Sequence, residues 1–235
     1  MKTDVAGKVR NTRLAASRPL LPVFEAVVNS LQAIEERGDQ TRGQIDISLV
    51  RQSGQAQQEL GVDEGPEDPV TGFRIEDNGV GFTDKNFDSF NTSETTHKVQ
   101  RGGKGIGRFS WLKAFDRVRI ESVFRDGDQW KLRTFRFEVS PEGVADPRIS
   151  SSPTSSLKTR IDLDGLKPQF QRYCPKLAET IAQKVVEHCF SYFLRGEAPV
   201  MRLLDGEKTV DLKELFGRLL DRKLADQTFK VRDRE

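Results

Sequence analysis

Gly102-Gly103-Lys104-Gly105-Ile106-Gly107 runs directly into a stretch of helical character. Glycine lets backbone N–H groups come close to an anion. The start of a helix adds unpaired donors and the positive end of its dipole. The run therefore reads as a phosphate cradle or as a plain hinge, with Lys104 placed to meet anionic oxygens or solvent. It is not a Walker A loop, because no Ser or Thr follows the lysine. It is not a Rossmann fingerprint, because no strand leads straight into it and the spacing differs.

A second stretch, Asp77-Asn78-Gly79-Val80-Gly81, closes a strand-like segment. A carboxylate there can accept a hydrogen bond from the exocyclic amine of a base. Asn-Gly is also a strong turn signal, so a hairpin is the competing reading. In a third stretch, Glu25 and Asn29 stand one helical turn apart. An Asn oxygen can ligate Mg²⁺, which takes the rest of its shell from phosphate and water. A carboxylate one turn away can take a proton from an attacking water. The pair also suits an ordinary polar helix face.

The elements that must position these residues can be read from periodicity. Over Pro19–Glu36, Val23, Val27 and Leu31 recur every four residues, and Phe24, Val28 and Ile34 widen the stripe. Pro22 suits the first turn of this helix and Gly38 its stop. Alternation of Ile45, Ile47 and Leu49 predicts a strand over Gln44–Gln52, and a second strand over Thr71–Glu76 delivers Asp77. Ser53–Pro69 reads as a solvated loop. A short helix follows Thr83, Asn91–Arg101 is polar and non-periodic, and Arg108–Phe115 is helical with Trp111 and Phe115 in the core. Strands are predicted at Arg117–Phe124, Trp130–Val139 and Leu157–Leu163, with a loop over Pro141–Pro153. One long helix spans Tyr173–Leu194, with Leu177, Ile181, Val185 and Cys189 at spacing four. A strand and a helix from about Leu212 complete the chain. Helices and antiparallel-compatible strands in mixed order, without βαβα alternation, predict a layered α+β sandwich.

In order and spacing the three stretches resemble the boxes of the GHKL superfamily of ATPases, which includes gyrase B, the ninety-kilodalton heat-shock chaperones, histidine kinases, MutL and MORC proteins. Glu25-Ala-Val-Val-Asn29 is similar to their Glu-x-x-x-Asn helix. Asp77-x-Gly79-x-Gly81 is similar to the adenine box, and Gly102-x-x-Gly105-x-Gly107 to the box that closes the ATP lid. Thr159 resembles the threonine that supports the adenine-binding Asp through water. Two departures are visible. Gln32 stands where MutL-like proteins have Asp, and Lys158 precedes Thr159 where glycine is usual.

The resemblance implies a Bergerat-type two-layer α/β sandwich, with a mixed, largely antiparallel sheet covered by helices on one face. It implies Glu25 as general base, Asn29 as Mg²⁺ ligand and Asp77 as acceptor for the adenine amine. Gly79 and Gly81 would make room for the base, and Gly105 and Gly107 would cradle phosphates. ATP and Mg²⁺ are the expected ligands, and slow hydrolysis would work as a conformational switch on a partner domain or a homodimer. A histidine-kinase-type phosphotransfer domain and a non-hydrolysing nucleotide sensor are the alternatives. Only about 20 residues precede the first box, too few for a dimerising histidine helix pair, which argues against the kinase.

Composition sets the outer limits. The chain has 235 residues, with 38 Lys and Arg against 36 Asp and Glu, so no global charge argues for nucleic acid or membrane binding. Any nucleic-acid surface would have to be local. No apolar run approaches a membrane span, and the basic N-terminus lacks the apolar core of a secretory signal. Two cysteines are too few for a disulfide scaffold, which makes the cytoplasm the expected setting. His97 and His188 have no metal-ligand company at zinc spacing. The expected organisation is a basic arm over 1–18, the ATP-binding unit over 19–195 with its lid at about 84–107, and the start of a following domain or linker over 196–235.

Overall fold

A computed structural model describes residues 5–52, 68–92 and 107–232. The helices are α1 (Val5–Asn11), α2 (Leu21–Arg37), α3 (Asp84–Asn91), α4 (Phe109–Ala114), α5 (Pro168–Gln171), α6 (Ala178–His188), α7 (Phe190–Leu194) and α8 (Leu212–Arg232). The strands are β1 (Gln44–Arg51), β2 (Val70–Asp77), β3 (Phe115–Asp126), β4 (Gln129–Phe137), β5 (Val144–Ser151), β6 (Lys158–Leu166), β7 (Val200–Asp205) and β8 (Lys208–Asp211). They form one sheet in the order β5-β4-β3-β6-β2-β1-β7-β8. Only the β1–β7 pairing is parallel; the others described are antiparallel. The fold is thus a two-layer α+β sandwich on a mixed, largely antiparallel sheet, as predicted. β7 and β8 come from the segment expected to begin another unit, and they extend this same sheet.

Alternation along the strands decides which face the helices cover. Ile45, Ile47, Phe73, Ile75, Ile161, Leu163, Val118 and Ile120 are buried on one face. The other face carries cross-strand ion pairs, Arg202–Asp46 at 2.8 Å, Arg74–Asp162 at 2.7 Å and Arg160–Glu76 at 2.8 Å. A sheet with one apolar and one charged face can be covered by helices on the apolar side only.

Register lines up rows across the core face. Phe73, Leu163, Val118 and Phe137 make one row, and Ile75, Ile161, Ile120 and Phe135 the next. The third row turns polar: Asp77 on β2, Thr159 on β6, Ser122 on β3 and Arg133 on β4. The row stays apolar on β1 and β7 with buried Ile45 and Met201, and Phe124 is buried beyond Ser122, so the polar residues interrupt the core on β2, β6, β3 and β4 only.

The predicted first helix is α2, capped by Gly38 at φ 82°. A left-handed C-cap of this kind needs glycine. Thr83 caps α3, its hydroxyl accepting from Asn86 N. The basic arm contains α1, which lies on α4. There the Lys113 ammonium donates to the carbonyls of Val9 at 3.3 Å, Arg10 at 3.1 Å and Thr12 at 2.7 Å. Val5 is buried at the other end of α1, next to Gly143.

Two expectations are corrected. Pro141–Pro153 is not all loop, since β5 occupies most of it at the sheet edge. Six of its eight residues are exposed, so no alternation marks it, and Pro147 is tolerated because an edge strand has unpaired positions. Tyr173–Leu194 is not one helix. It starts at Ala178 and breaks at Cys189 (φ −94°, ψ 15°) into α6 and α7. Leu177, expected on the apolar stripe, is 54% exposed and precedes the first turn.

Candidate functional site

Asp77, Gly79, Gly81 and Thr159, all expected site residues, come together where the end of β2 meets α2, β3 and β6. Asp77 is the last residue of β2 and only 6% exposed. Its Oδ2 accepts from the Ser30 hydroxyl at 2.7 Å and its Oδ1 from the Gly79 amide at 2.9 Å. No ion pair reaches it among the described residues. Burial pushes its carboxyl up to about 6, and the two donors and the Arg37 charge only partly offset that.

The hairpin reading of Asn78-Gly79 fails, because the chain leaves β2 for α3 and the neighbours of β2 are β1 and β6. Asn78 instead ties the turn down. Its Oδ1 accepts from Gln44 N at 2.9 Å, and its Nδ2 donates to the Arg42 carbonyl at 2.8 Å. Gly79 presses on α2: a methyl group there would lie 2.6 Å from the Ala33 backbone and Cβ. The next amide, Val80 N, donates to the Ala33 carbonyl at 3.1 Å. Gly81 has φ 75°, and a Cβ would fall 2.6 Å from Ser122 Oγ. Both glycines are therefore required by the close approach of α2 and β3 to this turn.

Thr159 lies opposite Asp77 on β6, fully in the polar row. Its hydroxyl and that of Ser122 are 3.0 Å apart, and Ser122 Oγ also accepts from Phe82 N at 2.9 Å. Arg133 ends the row. Its Nη1 donates to the carbonyls of Phe82 at 2.8 Å and Thr83 at 2.9 Å, and its Nη2 to the Asp84 carboxylate. The guanidinium lies over the Phe87 ring, 4.5 Å from its centroid. The turn after Asp77 is thus pinned from α2, β3 and β4.

Glu25 and Asn29 occupy successive turns of α2, both half-buried. The Glu25 carboxylate lies against the backbone of Gly107. It has no hydrogen bond or ion pair among the described residues, and burial raises its pKa. Asn29 likewise has no side-chain partner among them. The indole N–H of Trp111 donates to the Pro22 carbonyl at 2.9 Å, so α4 is tied to the first turn of α2. Of the glycine run only Gly107 is described. Gly102, Gly103, Lys104, Gly105 and Ile106 lie outside the described residues, as do His97 and the rest of the predicted lid between Thr92 and Gly107.

Ser30, Ser122 and Arg133 carry no functional expectation in the sequence, yet they complete the site. Among the described residues no cluster of three His, Cys, Asp or Glu side chains is suited to a metal ion. A Mg²⁺ held by one Asn oxygen with phosphates and water needs no such cluster. No described helix is long and apolar enough to cross a membrane. Comparison with known proteins finds no matching protein-family model and no matching curated protein.

Proposed function

We propose that this chain is a Mg-ATP-binding and hydrolysing domain of the GHKL kind. Asp77 carries the reading. It is a carboxylate shut into the core face, hydrogen-bonded to two neutral donors and in no ion pair among the described residues, with the Arg37 charge acting on it without direct contact. An ionised carboxylate has about four acceptor sites, so lone pairs remain for an adenine amino group. Guanine offers a carbonyl at the corresponding position and would leave them unmet.

The remaining roles are those the resemblance implies. Asn29 would hold Mg²⁺, which when bound compensates phosphate charge. Glu25 would take the proton of the attacking water, and its raised pKa brings it nearer the range in which a base works at neutral pH. Gly107, with Gly102, Gly103, Lys104, Gly105 and Ile106, would hold the phosphates. Thr159 would support Asp77 through water. We place the domain in the cytoplasm, where two buried free thiols, Cys174 and Cys189, stay reduced. Its hydrolysis would switch a homodimer or the C-terminal domains of a longer chain.

Calorimetry with ATP and GTP, each with Mg²⁺, tests the reading. ATP is expected to bind far more tightly, and Mg²⁺ removal to weaken it. Equal affinities for the two nucleotides would overturn the adenine assignment. Phosphate release by the native protein, absent in Glu25→Ala, separates an ATPase from a nucleotide sensor.

A further inference from the structure

A cavity of about 470 Å³ lies between the residues leading into α2, the turn before α6, and α6 itself. It is separate from the Asp77 site, and neither Asp77 nor Glu25 lines it. Its volume falls in the range of small-molecule pockets. The lining divides into an apolar body and a basic rim.

The body is built on Leu21 and on Phe24, whose ring is stacked on His188 at 4.5 Å and 17°. Burial lowers the His188 pKa, so at neutral pH the ring is uncharged and its face remains apolar. The rim carries Arg18 and Lys184, neither with a carboxylate partner among the described residues. Its one acid, Glu187, accepts from Gln183 Nε2 at 2.9 Å. A third cation stands just outside, Arg172, which donates to the Tyr173 hydroxyl at 2.6 Å.

Two cations with no carboxylate partner among the described residues, beside an apolar wall of Leu21 and the stacked Phe24–His188 pair, suit a ligand with an apolar ring and an anionic group. We propose that this cavity is a binding site for a small aromatic anion. Its ring would pack against Leu21 and the Phe24–His188 pair. Its carboxylate, sulfonate or phosphate would reach Arg18 and Lys184, a charge-assisted contact that a neutral ligand cannot make.

The probe is 2-naphthoate, with the uncharged 2-naphthamide as control, titrated into the intact protein by calorimetry and by NMR of the His188 ring protons. Naphthoate should bind one to one and shift the His188 signals. Lys184→Glu and Arg18→Glu should each weaken it about tenfold or more, the scale of one lost charge-assisted hydrogen bond, and leave the weaker naphthamide binding unchanged. Phe24→Ala should weaken both ligands. ATP is itself an aromatic anion, so the titration is repeated with saturating ATP and with Asp77→Asn, and neither should alter naphthoate binding. The inference fails if naphthoate does not bind the native protein. It also fails if the charge reversals leave affinity unchanged, or if Asp77→Asn abolishes binding, which would place the probe at the other site.

Discussion

The Glu25 carboxylate rests on the α-carbon of Gly107: a methyl group added there would come within 2.0 Å of Glu25 Oε2. The two residues lie on different elements, and the Trp111 to Pro22 hydrogen bond holds those elements together. What is displaced by a larger residue at 107 is the end of a flexible side chain, so the fold should survive and the carboxylate should swing away.

Gly107→Ala is therefore expected to reduce ATP hydrolysis toward the level of Glu25→Ala. A general base contributes on the order of 10²–10⁴-fold. Glu25→Ala should keep ATP binding, and both variants a native melting temperature. Phosphate release beside calorimetry checks this, and native turnover in Gly107→Ala would show that Glu25 does no chemistry.

Asp77 makes the free protein pH-sensitive in a definite direction. The folded state holds its proton up to about pH 6, whereas an ordinary Asp loses it near 3.8. Between those values unfolding releases a proton, so stability falls as pH rises, and the loss is complete above about 6. The shift amounts to on the order of 3 kcal/mol. In Asp77→Asn the amide can accept from Gly79 N and donate to Ser30 Oγ. That variant should be more stable than the native protein at pH 7 and lack this pH dependence. Urea unfolding at pH 4, 5, 6 and 7 measures both, and parallel curves would contradict the assignment.

The nucleotide reverses the sign. An adenine amine donates to the ionised carboxylate, so ATP affinity should be full above about pH 6 and decline as pH falls through it. Ser30 donates to Asp77 and lowers its pKa. Ser30→Ala should therefore move the affinity midpoint to higher pH. Calorimetric titrations across pH 5–8 would show the shift; an unmoved midpoint removes Ser30 from the site.

Arg133 offers a fork that lysine cannot copy. Arg133→Lys should leave at least one of the Phe82 and Thr83 carbonyls without its charged donor and cost about 1.5–3 kcal/mol. Chemical denaturation reads the loss, and a change within about 0.5 kcal/mol would mean the turn holds without this anchor.

How far the fold could be read depended on whether a residue's partners were near in sequence. The α2 stripe and the β1 alternation are local patterns, and both elements appear within a residue or two of expectation. Asp77 was legible because it ends a strand and precedes two glycines. Ser30 and Ser122 were not: the Asp77 carboxylate and the Thr159 hydroxyl they pair with are 47 and 37 residues away, and nothing in a serine's surroundings announces that. Arg133 is hidden the same way, as one of several arginines on charged strands. The merged helix over Tyr173–Leu194 came from apolar spacing that continues through Cys189, where only the backbone changes direction.

The docking of α1 has a consequence for how the protein opens. Seven residues are too few for a helix to persist in water by itself, so α1 depends on Val5 and on the three carbonyls gripped by Lys113. Fraying of its last turn therefore requires that grip to be released. The helix belongs to the same cooperative unit as α4, and through Trp111 that unit reaches the turn of α2 that carries Glu25.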